Sequence, residues 1–303
     1  MVNLKTTVAG VEFKNPIIAA SGTFGFGREY NSFYDVGMLG GICSKGLTLE
    51  PRQGNDPVRI AETPSGMLNS VGLQNPGVMH FIEEELPFMK SLGTVVIANA
   101  AGSTESDYVK IVGILSDSDV DMIELNISCP NVKCGGMAFG VLPDGVYEIT
   151  HAVRKACKKP LIIKLTPNVA NIVDNALAAQ RGGADAVSLI NTVVAMAVDF
   201  KRRKPVLAAK SGGLSGPCVK PIALRMVHEC YKALDIPIIG MGGIMTGTDV
   251  GEFMLCGAAA VEVGTANIFD PYAGERIVNE LTKLCECDNI TDVSSIIGGL
   301  KVE

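Results

Sequence analysis

Eight short runs rich in Ile and Val, each ending in or near Gly, Asn, Ser or Lys, constrain this chain more than any other feature. They occupy residues 16–22, 41–49, 94–102, 122–128, 161–167, 186–192, 236–243 and 260–266. Their apolar character is continuous rather than alternating, as expected of strands buried on both faces of a parallel sheet. Between most of them lie stretches with helical spacing, at 105–116, 144–157, 169–180, 220–233 and 248–255. Strand and helix alternating eight times over ~250 residues predict an α/β fold of the (β/α)8, or TIM, barrel type. An open doubly wound sheet would carry Gly-x-Gly-x-x-Gly after an early strand, and no Gly cluster here has that spacing.

Three segments exceed what a barrel needs. Residues 3–14 alternate as a hairpin around Ala9-Gly10 and are suited to closing the bottom of the barrel. Residues 51–77 and 192–217 are long loops after the second and sixth runs, of a length that usually carries function. No repeat or boundary interrupts the 303 residues, so a single barrel domain over 1–303 is expected.

Composition narrows the partners. Mean hydropathy is +0.29, yet residues 91–104 and 186–198 are too short to span a bilayer and hold Asn, Ser or Thr. Residues 1–15 carry Lys5, Glu12 and Lys14 and no apolar leader segment. Nine cysteines without a Cys-x-x-Cys pair suit a reducing, cytoplasmic setting, with Cys43, Cys157 and Cys256 as small core residues. Net charge is −6, and the basic run Lys201-Arg202-Arg203-Lys204 reads as a solvated loop. Neither a membrane nor a nucleic acid is an expected partner. Glycine, at 34 residues, exceeds its usual ~7% share and points to backbone that turns sharply or approaches a ligand.

In such barrels chemistry is built at the C-terminal ends of the strands. Those ends supply Ser21, Lys45, Asn99, Asn126, Lys164 and Asn191, then Gly242-Gly243 and Gly264-Thr265. One buried Asn usually satisfies backbone groups, but three at equivalent positions beside two lysines need a shared ligand. Amides match a planar heterocycle whose edge alternates C=O and N–H, and lysines suit a carboxylate or charge that develops on a ring. Gly240-Met241-Gly242-Gly243 and Val263-Gly264-Thr265, with residues 211–216, form a candidate phosphate cradle after strands seven and eight. The three histidines, His80, His151 and His228, avoid the strand ends, and no metal-ligand spacing occurs. A base must therefore come from elsewhere. Cys129, at the end of the fourth run, is the candidate, with Cys134 its rival on the same loop.

These residues carry a resemblance to class 1 dihydroorotate dehydrogenases. It rests on Ala20-Ser21-Gly22-Thr23-Phe24-Gly25, Ser44-Lys45-Gly46-Leu47-Thr48, Asn69-Ser70-Val71-Gly72-Leu73-Gln74-Asn75 and Leu125-Asn126-Ile127-Ser128-Cys129-Pro130-Asn131. Asn191-Thr192, Gly240-Met241-Gly242-Gly243-Ile244 and Val263-Gly264-Thr265-Ala266 complete it. The resemblance implies one FMN per chain, held by Ser21, Lys45, Gly46, Asn99, Asn126, Lys164, Ile190, Gly216, Gly242, Gly243, Gly264 and Thr265. It implies dihydroorotate bound by Lys45, Asn69, Ser70, Val71, Gly72, Leu73, Asn126, Asn191 and Thr192, and released as orotate. Cys129 would take a proton from C5 while C6 gives hydride to flavin N5, and Lys164 would balance charge on the reduced ring.

Residues 133–140 resemble the NAD-linked form rather than the fumarate-linked homodimer. In that form an electron-transfer subunit with FAD and an iron–sulfur cluster passes electrons to NAD, in a heterotetramer of two catalytic and two electron-transfer chains. The quinone-linked class carries an N-terminal extension and a Ser base, and this sequence has neither. A reading from another class is a flavin-free barrel lyase or isomerase acting on a sugar phosphate, with Lys164 as a Schiff-base lysine.

Overall fold

The computed structural model describes residues 2–128 and 139–301. Cys129, Cys134 and the rest of 129–138 lie outside them. All eight apolar runs contain strands of one closed barrel: β1 (Ile17–Ala19), β2 (Gly41–Cys43), β3 (Val95–Ala100), β4 (Met122–Asn126), β5 (Leu161–Lys164), β6 (Ala186–Leu189), β7 (Ile238–Met241) and β8 (Ala258–Val263). Each pairs in parallel with its sequence neighbours, and β8 closes on β1. The fourth run stops as a strand at Asn126, two residues before the run's apolar end.

The continuous apolar runs have a physical reason. Successive strand residues point to opposite faces, and both faces are buried here. Ile17, Ala19, Ile42, Val96, Ala98, Ile123, Leu125, Leu161, Ile163, Val187 and Leu189 belong to the cluster shared with the outer helices. The alternate residues Ile18, Cys43, Ile97, Met122, Ile162, Ala186, Ile239 and Ala260 form a second cluster inside the barrel. The hairpin of Thr6–Val8 and Val11–Phe13 adds Val8 and Phe13 to that inner cluster and plugs the bottom. Its turn residues Ala9 and Gly10 both take positive φ, +48° and +80°, as a tight two-residue hairpin requires. Thr6 Oγ1 donates to the Ala259 carbonyl at 2.7 Å and ties the plug to β8.

Outer helices follow most strands, with ends set by local chemistry. The helix Glu105–Ser116 starts at a Thr104/Asp107 capping box. The expected 169–180 helix runs instead over Ile172–Gly182, because Asn171 caps Val173 N and Gly183 ends the helix at φ +99°. Between β1 and β2 only the short turns Tyr30–Ser32 and Val36–Met38 occur. The segment between residues 78 and 91 is interrupted by a π-helical turn at Phe81–Glu85.

The two long loops do not stand alone. Ile60–Thr63 and Gly66–Asn69 from the first, with Gly212–Ser215 and Val193–Ala195 from the second, pair as one antiparallel four-stranded sheet over the C-terminal rim. Asn69 lies opposite Gly213, so the first loop is fixed in register with the second.

Just before β8, Gly257 has φ +111°, and a Cβ there would stand 2.1 Å from Tyr231 Cγ. Gly257→Ala is expected to cost about 2–3 kcal/mol by combining a forbidden φ with overpacking. Urea unfolding measures this, and an unchanged midpoint would contradict it.

Candidate active site

The rim sheet and the strand ends enclose a cleft of about 260 Å³. It is lined by Ser21, Lys45, Gly46, Asn99, Asn126, Lys164, Ile190, Asn191, Thr192, Gly242, Gly243, Gly264 and Thr265, together with Asn69, Val71, Gly72 and Leu73. Of the residues named from the sequence, Gly216 and Ser70 do not line it. Gly216 sits just behind, its carbonyl 2.9 Å from where a Gly243 Cβ would be. Ser70 lines an adjoining cleft of about 410 Å³. Asn69, Asn126, Asn191 and Thr192 border both spaces, and Ser128 and Gly140, on either side of 129–138, line the second.

The floor of the first cleft is an interior layer of polar groups. The register places Asn99 opposite Glu124, Asn126 and Ser188 each opposite Lys164, and Ile18 opposite Glu262. Lys164 Nζ donates to Glu124 Oε1 at 3.1 Å, Glu262 Oε2 at 2.9 Å and Ser21 Oγ at 3.3 Å. Glu124 also accepts from Asn99 Nδ2 at 2.5 Å, Ser188 Oγ at 2.6 Å and Cys43 Sγ at 3.3 Å. Apart from Ser21, these side chains are essentially inaccessible to water. Burial alone would lower the Lys164 pKa, but Glu124 and Glu262 outweigh it and hold the ammonium firmly charged. Burial also works against the Glu124 carboxylate, yet Lys164 and the donors bring its pKa down to about 2. Lys45 differs: burial pulls its ammonium below the usual lysine range, and no carboxylate among the described residues offsets it.

In the same lining, Gly242 and Gly243 take φ +122° and +82°. A Cβ on Gly243 would meet Lys220 and the Gly216 carbonyl within 3 Å, so only glycine lets the backbone face the cleft there. Thr265 Oγ1 donates to Ser215 Oγ at 2.9 Å, tying this lining to the rim sheet.

Glu124, Glu262 and Ser188 were not singled out from the sequence, whereas Ser215 falls within the expected cradle. The signal for the two acids was present: each is a carboxylate inside an apolar run, Ile123-Glu124-Leu125 and Val261-Glu262-Val263. Cys43, expected as a small core residue, is buried and also donates to Glu124. No histidine lines either cleft among the described residues.

The arrangement offers a cation and amides at the floor of the cleft and glycine backbone in its lining. Residues 3–285 match the family model described as Dihydroorotate dehydrogenase. The chain is 55% identical over 299 residues to "Dihydroorotate dehydrogenase B (NAD(+)), catalytic subunit" of Alkaliphilus metalliredigens, covering 99% of each chain. It is 53% identical over 298 residues to the protein of the same name in Alkaliphilus oremlandii, covering 98% of this chain and 99% of the relative. The likewise named protein of Caldicellulosiruptor saccharolyticus is 51% identical over 301 residues, 99% of this chain and 100% of the relative. This chain belongs to the dihydroorotate dehydrogenase family.

Proposed function

We propose that this chain is the FMN-bearing catalytic subunit of an NAD-linked dihydroorotate dehydrogenase, oxidising dihydroorotate to orotate in pyrimidine (UMP) synthesis. The observation that carries the reading is the single cleft shared by Lys164, Lys45, the asparagines of three strands and the glycines after β7 and β8. A flavin suits these residues on a further ground. Asn99 Oδ1 is buried without a partner among the described residues, and Asn99 lines the cleft. A ring N–H donor supplies what such an orphaned oxygen lacks.

Ser21, Gly46, Asn99, Lys164 and Ile190 would hold the ring, and Gly216, Gly242, Gly243, Gly264 and Thr265 the phosphate. When bound, FMN supplies the acceptor for the hydride leaving C6 of dihydroorotate. Lys45 attracts the substrate carboxylate, since it is a half-buried ammonium without a counter-charge among the described residues. Asn126 and Asn191 are within 3.4 Å of each other and present amides to a substrate ring, with Asn69 to Leu73 and Thr192 as walls. Cys129 takes the proton from C5.

The relatives' printed name, catalytic subunit, supports a second chain. We place FAD and the iron–sulfur cluster on that chain, in a heterotetramer of two and two. Gly-x-Gly-x-x-Gly is absent here, and the closest cysteine pairs, Cys129/Cys134 and Cys285/Cys287, lack cluster spacing. No described helix is long and apolar enough to cross a membrane. The cysteine pattern favours the cytoplasm.

The purified chain is expected to be yellow and to bleach when dihydroorotate is added without oxygen. A colourless protein would favour the sugar-phosphate lyase or isomerase reading. The chain alone should reduce an artificial dye but not NAD, and adding the electron-transfer subunit should bring NAD reduction. Robust NAD turnover by the single chain would sink the two-chain reading, and robust fumarate turnover would make this the homodimeric form.

A further inference from the structure

We propose that Glu124 and Glu262 form a carboxylate–carboxylic acid pair that holds one proton and positions the Lys164 ammonium at the floor of the cleft. The argument is one of charge. Two acids from β4 and β8 meet one ammonium from β5 inside the barrel, at 3.1 and 2.9 Å, and all three are at most 4% exposed. Were both acids ionised, one negative charge would remain uncompensated where water cannot reach. The other titratable group facing them, the Cys43 thiol of β2, is kept neutral by burial and by the two acids. From β1, β3 and β6 only neutral groups approach: Ser21 just beyond its strand, Asn99 and Ser188.

The hydrogen bonds decide which acid keeps the proton. Glu124 receives donors from Lys164, Asn99, Ser188 and Cys43, the environment of an ionised carboxylate. Glu262 receives Lys164 alone, and its Oε1 has no partner among the described residues. Burial and the neighbouring Glu124 charge push Glu262 well above the usual carboxylate range. Cys43, Glu124 and Glu262 also present three ligand atoms within 4.8 Å of one another, as a metal ion would need. Lys164 Nζ, bonded to both acids, already supplies the cation there.

The cluster is therefore neutral overall, with its positive end beside Ser21 and the cleft. Glu124 and Glu262 are positioning residues: they act on the cleft through Lys164. The pair itself is a property of this chain. Its influence on a flavin rests on the proposed function above.

The test begins with the unsubstituted, flavin-free chain carrying 13C-carboxyl glutamate. Infrared spectra at neutral pH should show a label-sensitive carboxylic-acid C=O band, and its absence overturns the proposal whether or not any variant folds. The band should vanish in Glu262→Gln. It should vanish in Glu124→Gln too, because Glu262 then gives up its proton to hold Lys164. Persistence in either folded variant overturns the proposal. In flavin-loaded protein, each single variant keeps one carboxylate against one ammonium. The reduced-to-oxidised flavin ratio at fixed potential should therefore stay within ~3-fold of the parent. A rise of ~10-fold or more in either, about 30 mV for two electrons, would mean that the parent pair bears two charges and overturns the proposal. If the chain takes up no flavin, the flavin reading fails while the infrared result still decides the pair.

Discussion

Cys129→Ala is expected to leave FMN bound and to slow bleaching of the flavin by dihydroorotate ~10²-fold or more, the usual worth of a positioned base. A thiol with an ordinary pKa of ~8.5 is a proton acceptor near neutral pH once a modest fraction is thiolate. The rate of the parent protein should accordingly rise with pH as that fraction grows. Cys129 follows Ser128 directly in sequence, and Ser128 lines the second cleft together with Asn126 and Asn191. Pro130 further biases Cys129 toward an extended backbone. Cys134 stands five residues further on in the sequence, and Cys134→Ala should be nearly silent. Rapid mixing without oxygen separates the two variants. A large loss in Cys134→Ala with none in Cys129→Ala would reverse the assignment.

The barrel was legible because a strand buried on both faces must be apolar at every position, and eight such runs leave few alternatives. The hairpin at the bottom was legible for a local reason, the Ala9-Gly10 turn between alternating residues. What escaped was non-local. The rim sheet pairs Leu68 with Leu214 across nearly half of the chain, and neither loop alone has the spacing of a stable sheet. Between β1 and β2, where the sequence shows no helical stretch, the chain returns through two short turns, the second capped by Asp35. At the site, strand ends led to Lys164 and Asn126, but the same period of two places Glu124 one layer beneath Asn126 on the same face of β4. Glu262 escaped for the same reason, one layer beneath Gly264.

Lys164→Ala tests that inner layer directly. It removes the cation that holds Glu124 ionised and leaves two buried acids with none. FMN retention should fall, and the remaining flavin should become harder to reduce, its reduced-to-oxidised ratio dropping ~10-fold or more at fixed potential. Stability should also change its dependence on pH. In the parent, Glu124 has a pKa lowered to about 2, so its contribution is present above the unfolded value of ~4.3 and is lost as pH falls toward 2. In Lys164→Ala, burial acts on Glu124 without the offsetting ammonium and raises its pKa above the unfolded value. That contribution is present only below ~4.3 and is lost as pH rises, so the variant falls further behind the parent with each step toward alkaline pH. Breaking a buried pair from one side costs about 3–5 kcal/mol, and the full cost should appear near pH 8 and shrink toward pH 5. Urea unfolding at the two pH values measures the slope. A pH-independent deficit, with flavin occupancy and potential unchanged, would show that Lys164 only fills space in the barrel.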